Sequence, residues 1–177
     1  MLNRSISIIV PALNEEKNIS GVITDLVNAF SSGDMEYEIL VWDDGSSDHT
    51  HTIACKYAEQ NKNVRVFRNR ANGGIGYVFR EGLRHSRYNY VAFFPGDGQD
   101  NVEDFHKLAQ NTPEAELIIG FPIYNDRPLF RKLLSKVVTK LFSIFVDFKL
   151  PHMTSMVIYS SELLRNVHFN SDGFMFQ

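Results

Sequence analysis

The sequence predicts an α/β domain, a mostly parallel sheet with helices on both faces. Three observations carry this. Short β-branched and aromatic runs alternate with stretches of helical apolar spacing. Each early run is too short for a helix and is closed by proline, glycine or acidic residues. The polar, glycine-bearing segments follow strands, at the carboxyl ends where open α/β sheets bind ligands.

The elements follow in order. Ser5 to Val10 is a β-branched run that Pro11 stops, which reads as a buried strand. Asn14, Glu15 and Glu16 are placed to cap a helix and complement its N-terminal dipole. Ile19, Val22, Ile23, Leu26, Val27 and Phe30 recur at helical spacing, and Ser31-Ser32-Gly33 ends that helix. Tyr37 to Trp42 reads as the second strand. Ser46, Ser47 and Asp48 offer caps to a helix with a face of Ile53, Ala54, Tyr57 and Ala58. Val64 to Phe67 is the third strand, Gly76 to Ser86 a helix, and Tyr90 to Phe94 the fourth strand. Val102 to Gln110 is a short helix and Leu117 to Ile119 a fifth strand.

Composition narrows the class. The chain has 177 residues, 44% hydrophobic and 22% charged, which suits one globular domain with a substantial core. Its formal net charge of −3 gives no global signal for nucleic acid. One cysteine, Cys55, excludes an intrachain disulfide framework and fits a reducing, cytoplasmic setting. The opening MLNRSISIIV is too short and lacks the cleavage site of a secretory signal. No apolar run reaches the roughly 18 residues of a spanning helix. The chain stops at SDGFMFQ in an apolar-rich stretch, so residues 1–177 are expected to be a single catalytic domain truncated at its C-terminus.

Four polar segments carry the chemistry. In VPALNEE, Pro11 fixes the backbone as it leaves the first strand, and Glu15 either accepts hydrogen bonds from a base or ribose or caps the following helix. In VWDDGSSDHT, two adjacent carboxylates at a strand end need donors if buried. Asp44 can accept the imino N–H of a uracil or guanine ring, Asp43 can brace the turn, and Asp48 can cap a helix. In NRANGGIGYVFREGL, Gly73, Gly74 and Gly76 let backbone approach phosphates or a nucleoside. A dinucleotide fingerprint fails there, because its third glycine position is Phe79 and the segment does not follow the first strand. In FFPGDGQD, an apolar strand delivers Asp97, Gln99 and Asp100 to its carboxyl end. Oxygen ligands suit Mg²⁺ or Mn²⁺, with Asp97 the first ligand and Gln99 on the metal or a phosphate.

In that order the four segments resemble family 2 glycosyltransferases, especially the dolichol-phosphate-mannose-synthase-like branch. The resemblance runs from Ser5 to Gln177 and includes the late SDGFMFQ. It implies a GT-A-like, Rossmann-like fold and transfer of a sugar from a UDP- or GDP-sugar to an acceptor such as a polyprenyl phosphate. It implies that Pro11, Leu13, Glu15, Asp44 and Gly74 line the nucleotide site. Asp97 and Gln99 would lie at the metal and diphosphate. Arg131, in RPLFRKLLSK, would hold donor or acceptor phosphate, and Asp97 and Arg131 would be the catalytic pair. The sequence departs from the pattern at three places. Pro95 stands where the family has the first acid of Asp-x-Asp, Gly120-Phe121-Pro122 replaces Gly-Ser-Arg, and His152-Met153-Thr154-Ser155-Met156 replaces Asp-Pro-Thr-Ser-Gly.

Two further readings stand beside this one. A nucleotidyltransferase also uses acidic strand ends, but it would want a glycine-rich loop after the first strand, and PALNEE is not one. A catalytically inactive nucleotide-binding module is the reading that Pro95 favours. Beyond the four segments, Phe130, Leu133, Leu134, Val137, Val138, Leu141, Phe142 and Phe145 fall on one helical face, and Lys132, Lys136 and Lys140 recur every four residues on another. That pattern fits either peripheral contact at the cytoplasmic face of a membrane or a packed surface helix. A lipid-phosphate or saccharide acceptor, a nucleotide-sugar donor and no nucleic acid are the expected partners.

Overall fold

The structure is a computed structural model that describes residues 4–33, 35–112, 115–120 and 156–165. The chain divides into two compact units, Met1–Ile118 with Val157–Gln177, and Ile119–Met156. The described elements are β1 (Ser5–Ala12), α1 (Ile19–Phe30), β2 (Glu36–Asp43), α2 (Thr50–Gln60), β3 (Val64–Arg68), α3 (Ile75–His85), β4 (Tyr90–Phe93), α4 (Val102–Ala109), β5 (Leu117–Gly120), β6 (Met156–Ser160) and α5 (Ser161–Arg165). They form one six-stranded sheet in the order β3-β2-β1-β4-β6-β5. β1 pairs in parallel with β2 and β4, and β2 in parallel with β3, while β4 and β6 run antiparallel.

The central strand explains the layering. Ile8, Ile9 and Val10 are consecutive and wholly buried, so β1 is covered on both faces. Ile9, Leu40 and Trp42 share one face with Val78 and Phe79 of α3. By the two-residue period, Ile8, Val10, Ile39 and Val41 point to the other face. α3 packs closely because of Gly82, where a Cβ would come within 2.7 Å of Ile9 Cδ1.

Most expected elements are present, and the differences have causes. β1 runs through Pro11 to Ala12. Ile9 and Pro11 both accept bonds on the β4 side, from Phe94 at 2.9 Å and Gly96 at 3.0 Å. The missing N–H of Pro11 falls on that same side, between those two bonds, and the strand continues because its pairing with β2 runs on to Ala12. Asn14, Glu15 and Glu16 do not cap α1, which begins at Ile19 with no side-chain cap. The Glu15 carbonyl instead accepts the N–H groups of Asn18 and Ile19. The antiparallel β6 was not anticipated from the sequence. The helix expected over 130–145, with Arg131 and its lysines, lies outside the described residues. Among the described residues no helix is long and apolar enough to cross a membrane.

Candidate active site

Because β1 to β4 run parallel, the segments that follow them emerge on one edge of the sheet. Short bonds tie these segments together. The Asp44 N–H donates to the Ala12 carbonyl at 2.9 Å, and Gly96 N–H donates to Pro11 at 3.0 Å, so the end of β1 sits between the second and fourth segments. Asn14, at φ 57°, turns the chain as β1 ends. Its N–H donates to Ser46 Oγ, and its side-chain oxygen accepts the Ser47 N–H, both at 2.9 Å. Glu15 N–H donates to Thr50 Oγ1 at 2.8 Å, and Glu16 N–H to Asp48 at 3.1 Å. The Glu15 carboxylate accepts Asn18 Nδ2 at 2.7 Å.

The two adjacent aspartates divide their work. Both are buried, Asp43 wholly and Asp44 with 6% of its surface exposed. Asp43 Oδ1 accepts the Ser46 N–H at 2.8 Å, and Oδ2 lies 3.1 Å from Arg68 Nε and 3.7 Å from His51 Nδ1. Arg68 also donates to the Ser46 carbonyl at 3.1 Å. Asp43 thus braces the turn. Asp44 Oδ1 accepts Asn69 Nδ2 at 2.5 Å and Gly73 N–H at 2.8 Å, and Oδ2 accepts Gly74 N–H at 2.9 Å.

That last set corrects the reading of the glycine segment. The amides of Gly73 and Gly74 do not point outward for a phosphate; both close on Asp44. The close approach still matters, but between two parts of the chain. At Gly45, φ 85°, a Cβ would meet the Ala71 carbonyl carbon at 2.9 Å. Only glycine lets the second segment lie against the third.

The fourth segment leaves β4 through buried Phe94 and half-buried Pro95. Asp97 Oδ1 accepts the Gln99 N–H at 3.0 Å, closing a small turn. Gly98 lies against α1, where a Cβ would stand 3.7 Å from that of Asn18, the residue that holds Glu15. Asp97 is half-buried, and Gln99 and Asp100 are exposed. Among the described residues, no three His, Cys, Asp or Glu side chains gather as a metal cage. One carboxylate on an open turn does fit Mg²⁺ or Mn²⁺, which keep waters and bind one or two carboxylates along with phosphate oxygens.

Asp48 has a displaced titration. Slight burial pushes its pKa up, but donors prevail: the Thr50 hydroxyl, then the Thr50 and Glu16 amides, hold it below the usual value. Its Oδ1 accepts both Thr50 N–H, at 2.9 Å, and Thr50 Oγ1, at 2.5 Å, a local turn onto the first residue of α2, whose N-cap position is His49 with no side-chain cap bond.

Of the residues expected in the site, Pro11, Leu13, Glu15, Asp44, Gly74, Asp97 and Gln99 all belong to this one edge. Leu13 is 40% exposed, rare for a large apolar side chain here. Arg131 lies outside the described residues. Sequence reasoning missed Asn69 and Trp42. Trp42 Nε1 donates to Asn69 Oδ1 at 3.0 Å, and Asn69 in turn donates to Asp44. The available signal was a polar residue directly after a strand, a position where asparagine often bonds neighbouring backbone or side chains.

The family model described as glycosyl transferase family 2 matches residues 7–176. An uncharacterized protein of Methanocaldococcus jannaschii is 32% identical over 145 residues, 78% of this chain and 61% of its own. A dolichyl-phosphate beta-glucosyltransferase from Dictyostelium discoideum is 32% identical over 162 residues, 82% of this chain and 49% of its own. The chain spans only part of the relatives it matches. Among solved structures, glucosyl-3-phosphoglycerate synthase from Mycobacterium tuberculosis, in complex with Mn²⁺, uridine diphosphate and phosphoglyceric acid, superposes with a TM-score of 0.72. It is 22% identical, over 98% of this chain and 61% of that one. Mannosyl-3-phosphoglycerate synthase from Rubrobacter xylanophilus gives 0.67 at 17% identity, over 90% and 54%. The fold is that of the GT-A glycosyltransferases.

Proposed function

The chain belongs to glycosyl transferase family 2, and from that premise we propose that it moves a sugar from a nucleotide-diphosphate donor to a polyprenyl phosphate. The observation that carries this is the meeting of four strand-end segments on one edge, with Asp44 among them fixed by three N–H donors. Asp44 accepts an imino N–H of the base. Pro11, Leu13 and Glu15 lie beside it, and the exposed apolar surface of Leu13 suits the flat face of a nucleoside. Gly74 belongs to the nucleotide site by bracing Asp44 rather than by touching phosphate.

Asp97 and Gln99 would hold Mg²⁺ or Mn²⁺, a reading supported by the Mn²⁺ and uridine diphosphate in the Mycobacterium synthase of like fold. Such an ion supplies positive charge against the departing diphosphate. Arg131 adds to the same stabilisation from the protein. A polyprenyl phosphate is already anionic and needs no strong general base, whereas a hydroxyl acceptor would. The dolichyl-phosphate beta-glucosyltransferases among the relatives favour the lipid phosphate. Lys132, Lys136 and Lys140 would bring the protein to the cytoplasmic face of an anionic membrane.

The test is transfer of radiolabel. The chain is incubated with labelled UDP-glucose or GDP-mannose, Mn²⁺ and a short polyprenyl phosphate. Label entering the organic phase is the expected result. Label entering only water-soluble saccharide overturns the lipid acceptor, and binding of nucleotide without any transfer supports an inactive module instead.

A further inference from the structure

We propose that Asn69 sets the base preference of this site, by filling one oxygen of Asp44 so that a uracil nucleotide is taken in preference to a guanine nucleotide. The inference rests on Asp44 being the acceptor of the base N–H.

An indole N–H donates and never accepts. Trp42 is 4% exposed and its ring stacks on Phe67, with centroids 4.6 Å apart and planes 11° from parallel. Its Nε1 is therefore held in place, and it donates to Asn69 Oδ1 at 3.0 Å. This fixes which way the Asn69 amide faces. The reversed amide would set NH₂ against the indole N–H and oxygen against a carboxylate. With Oδ1 engaged by Trp42, the Asn69 NH₂ faces Asp44 Oδ1 at 2.5 Å.

The count of acceptor positions on Asp44 follows. An ionised carboxylate offers about four, two on each oxygen. Oδ1 has both filled, by Asn69 Nδ2 and by the Gly73 N–H at 2.8 Å. Oδ2 has one filled, by the Gly74 N–H at 2.9 Å. Among the described residues no second donor reaches Oδ2, so one position is left for a ligand.

The bases differ in what they ask of it. Uracil presents a single imino N–H between two carbonyls, and one acceptor position satisfies it. Guanine presents its ring N–H beside an amino N–H, a parallel pair that matches both oxygens of a free carboxylate. Here the second guanine donor meets an oxygen already filled. It is left unpaired beside Asp44, a residue only 6% exposed, where little water replaces the lost bond.

Calorimetry of the 177-residue chain with UDP and with GDP, each with Mn²⁺, tests this in three proteins: wild type, Asn69→Ala and Trp42→Phe. In the wild type UDP should bind at least about tenfold more tightly than GDP, the scale of one unpaired donor. Asn69→Ala opens the second position on Oδ1, so GDP should gain, UDP should lose, and the ratio should fall to about threefold or less. Trp42→Phe keeps the ring stack but releases the Asn69 amide, and should narrow the ratio in the same direction. Should Asn69→Ala fail to fold, the ratio in Trp42→Phe decides. Equal binding of the two nucleotides by the wild type overturns this inference and leaves the nucleotide site standing. A ratio unchanged in the folded variants also overturns it. Binding of neither nucleotide by the wild type overturns the Asp44 base site itself, and this inference with it.

Discussion

At Asp44 one carboxylate both closes the glycine segment and faces the ligand edge. Removing it strips acceptors from Asn69, Gly73 and Gly74 at once. Asp44→Ala should therefore lower stability by about 1–3 kcal/mol, the usual cost of stranding buried donors, besides weakening nucleotide binding. Thermal unfolding and calorimetry on the same sample separate the two losses. An unchanged melting temperature would show that the carboxylate does not brace the loop. Asp48 offers a second residue-level test. Its folded-state pKa lies below the ordinary 3.8, because donors outweigh slight burial. A carboxylate with a depressed folded pKa stabilises fully above its unfolded value, and that contribution is lost as pH falls through the folded one. An NMR titration should place the Asp48 midpoint under 3.8, and Asp48→Asn should flatten stability over that acid limb. A midpoint at or above 3.8 would show that the Thr50 and Glu16 bonds are not made in solution. The placement of Asp44 and Asp97 after strands, on one edge of the sheet, was legible in the sequence. What the glycines do was not, because a glycine announces backbone freedom and says nothing about where its N–H points.

The elements were legible where local pattern decides them. β1 to β4 and the helices between them follow from β-branched runs and helical apolar spacing. β6 was not legible, since an antiparallel partner for β4 supplied from residue 156 onward is a long-range pairing with no local signature. The end of β1 was misjudged for a related reason. Proline removes one donor on one side, and whether the strand ends there depends on the pairing on its other side, here with β2 as far as Ala12. Packing also leaves its mark on α3. A methyl at Gly82 would press on Ile9 at 2.7 Å, inside the cluster of Leu40, Trp42, Val78 and Phe79. Gly82→Ala raises helix propensity in isolation, yet overpacking should outweigh it and cost about 1–3 kcal/mol. Chemical denaturation measures the sign directly, and a stabilised variant would mean that α3 can lift from β1 without loss.

For the molecule as a whole, sequence order became spatial order through topology. Four segments spread over some ninety residues meet because four parallel strands place their carboxyl ends on one edge, a consequence that needs only the α/β assignment. The lacing between segments, Asn14 with Ser46 and Ser47, Glu15 with Thr50, Trp42 through Asn69 to Asp44, required coordinates. The account holds that this edge is a metal-assisted nucleotide-sugar site centred on Asp44 and Asp97. Calorimetric titration of UDP into the chain, with and without Mn²⁺, in wild type and Asp97→Ala, tests that most directly. The account predicts saturable binding that Mn²⁺ strengthens, and loss of that strengthening in Asp97→Ala at an unchanged melting temperature. No UDP binding by the wild type, or a Mn²⁺ effect that survives the substitution, would contradict it.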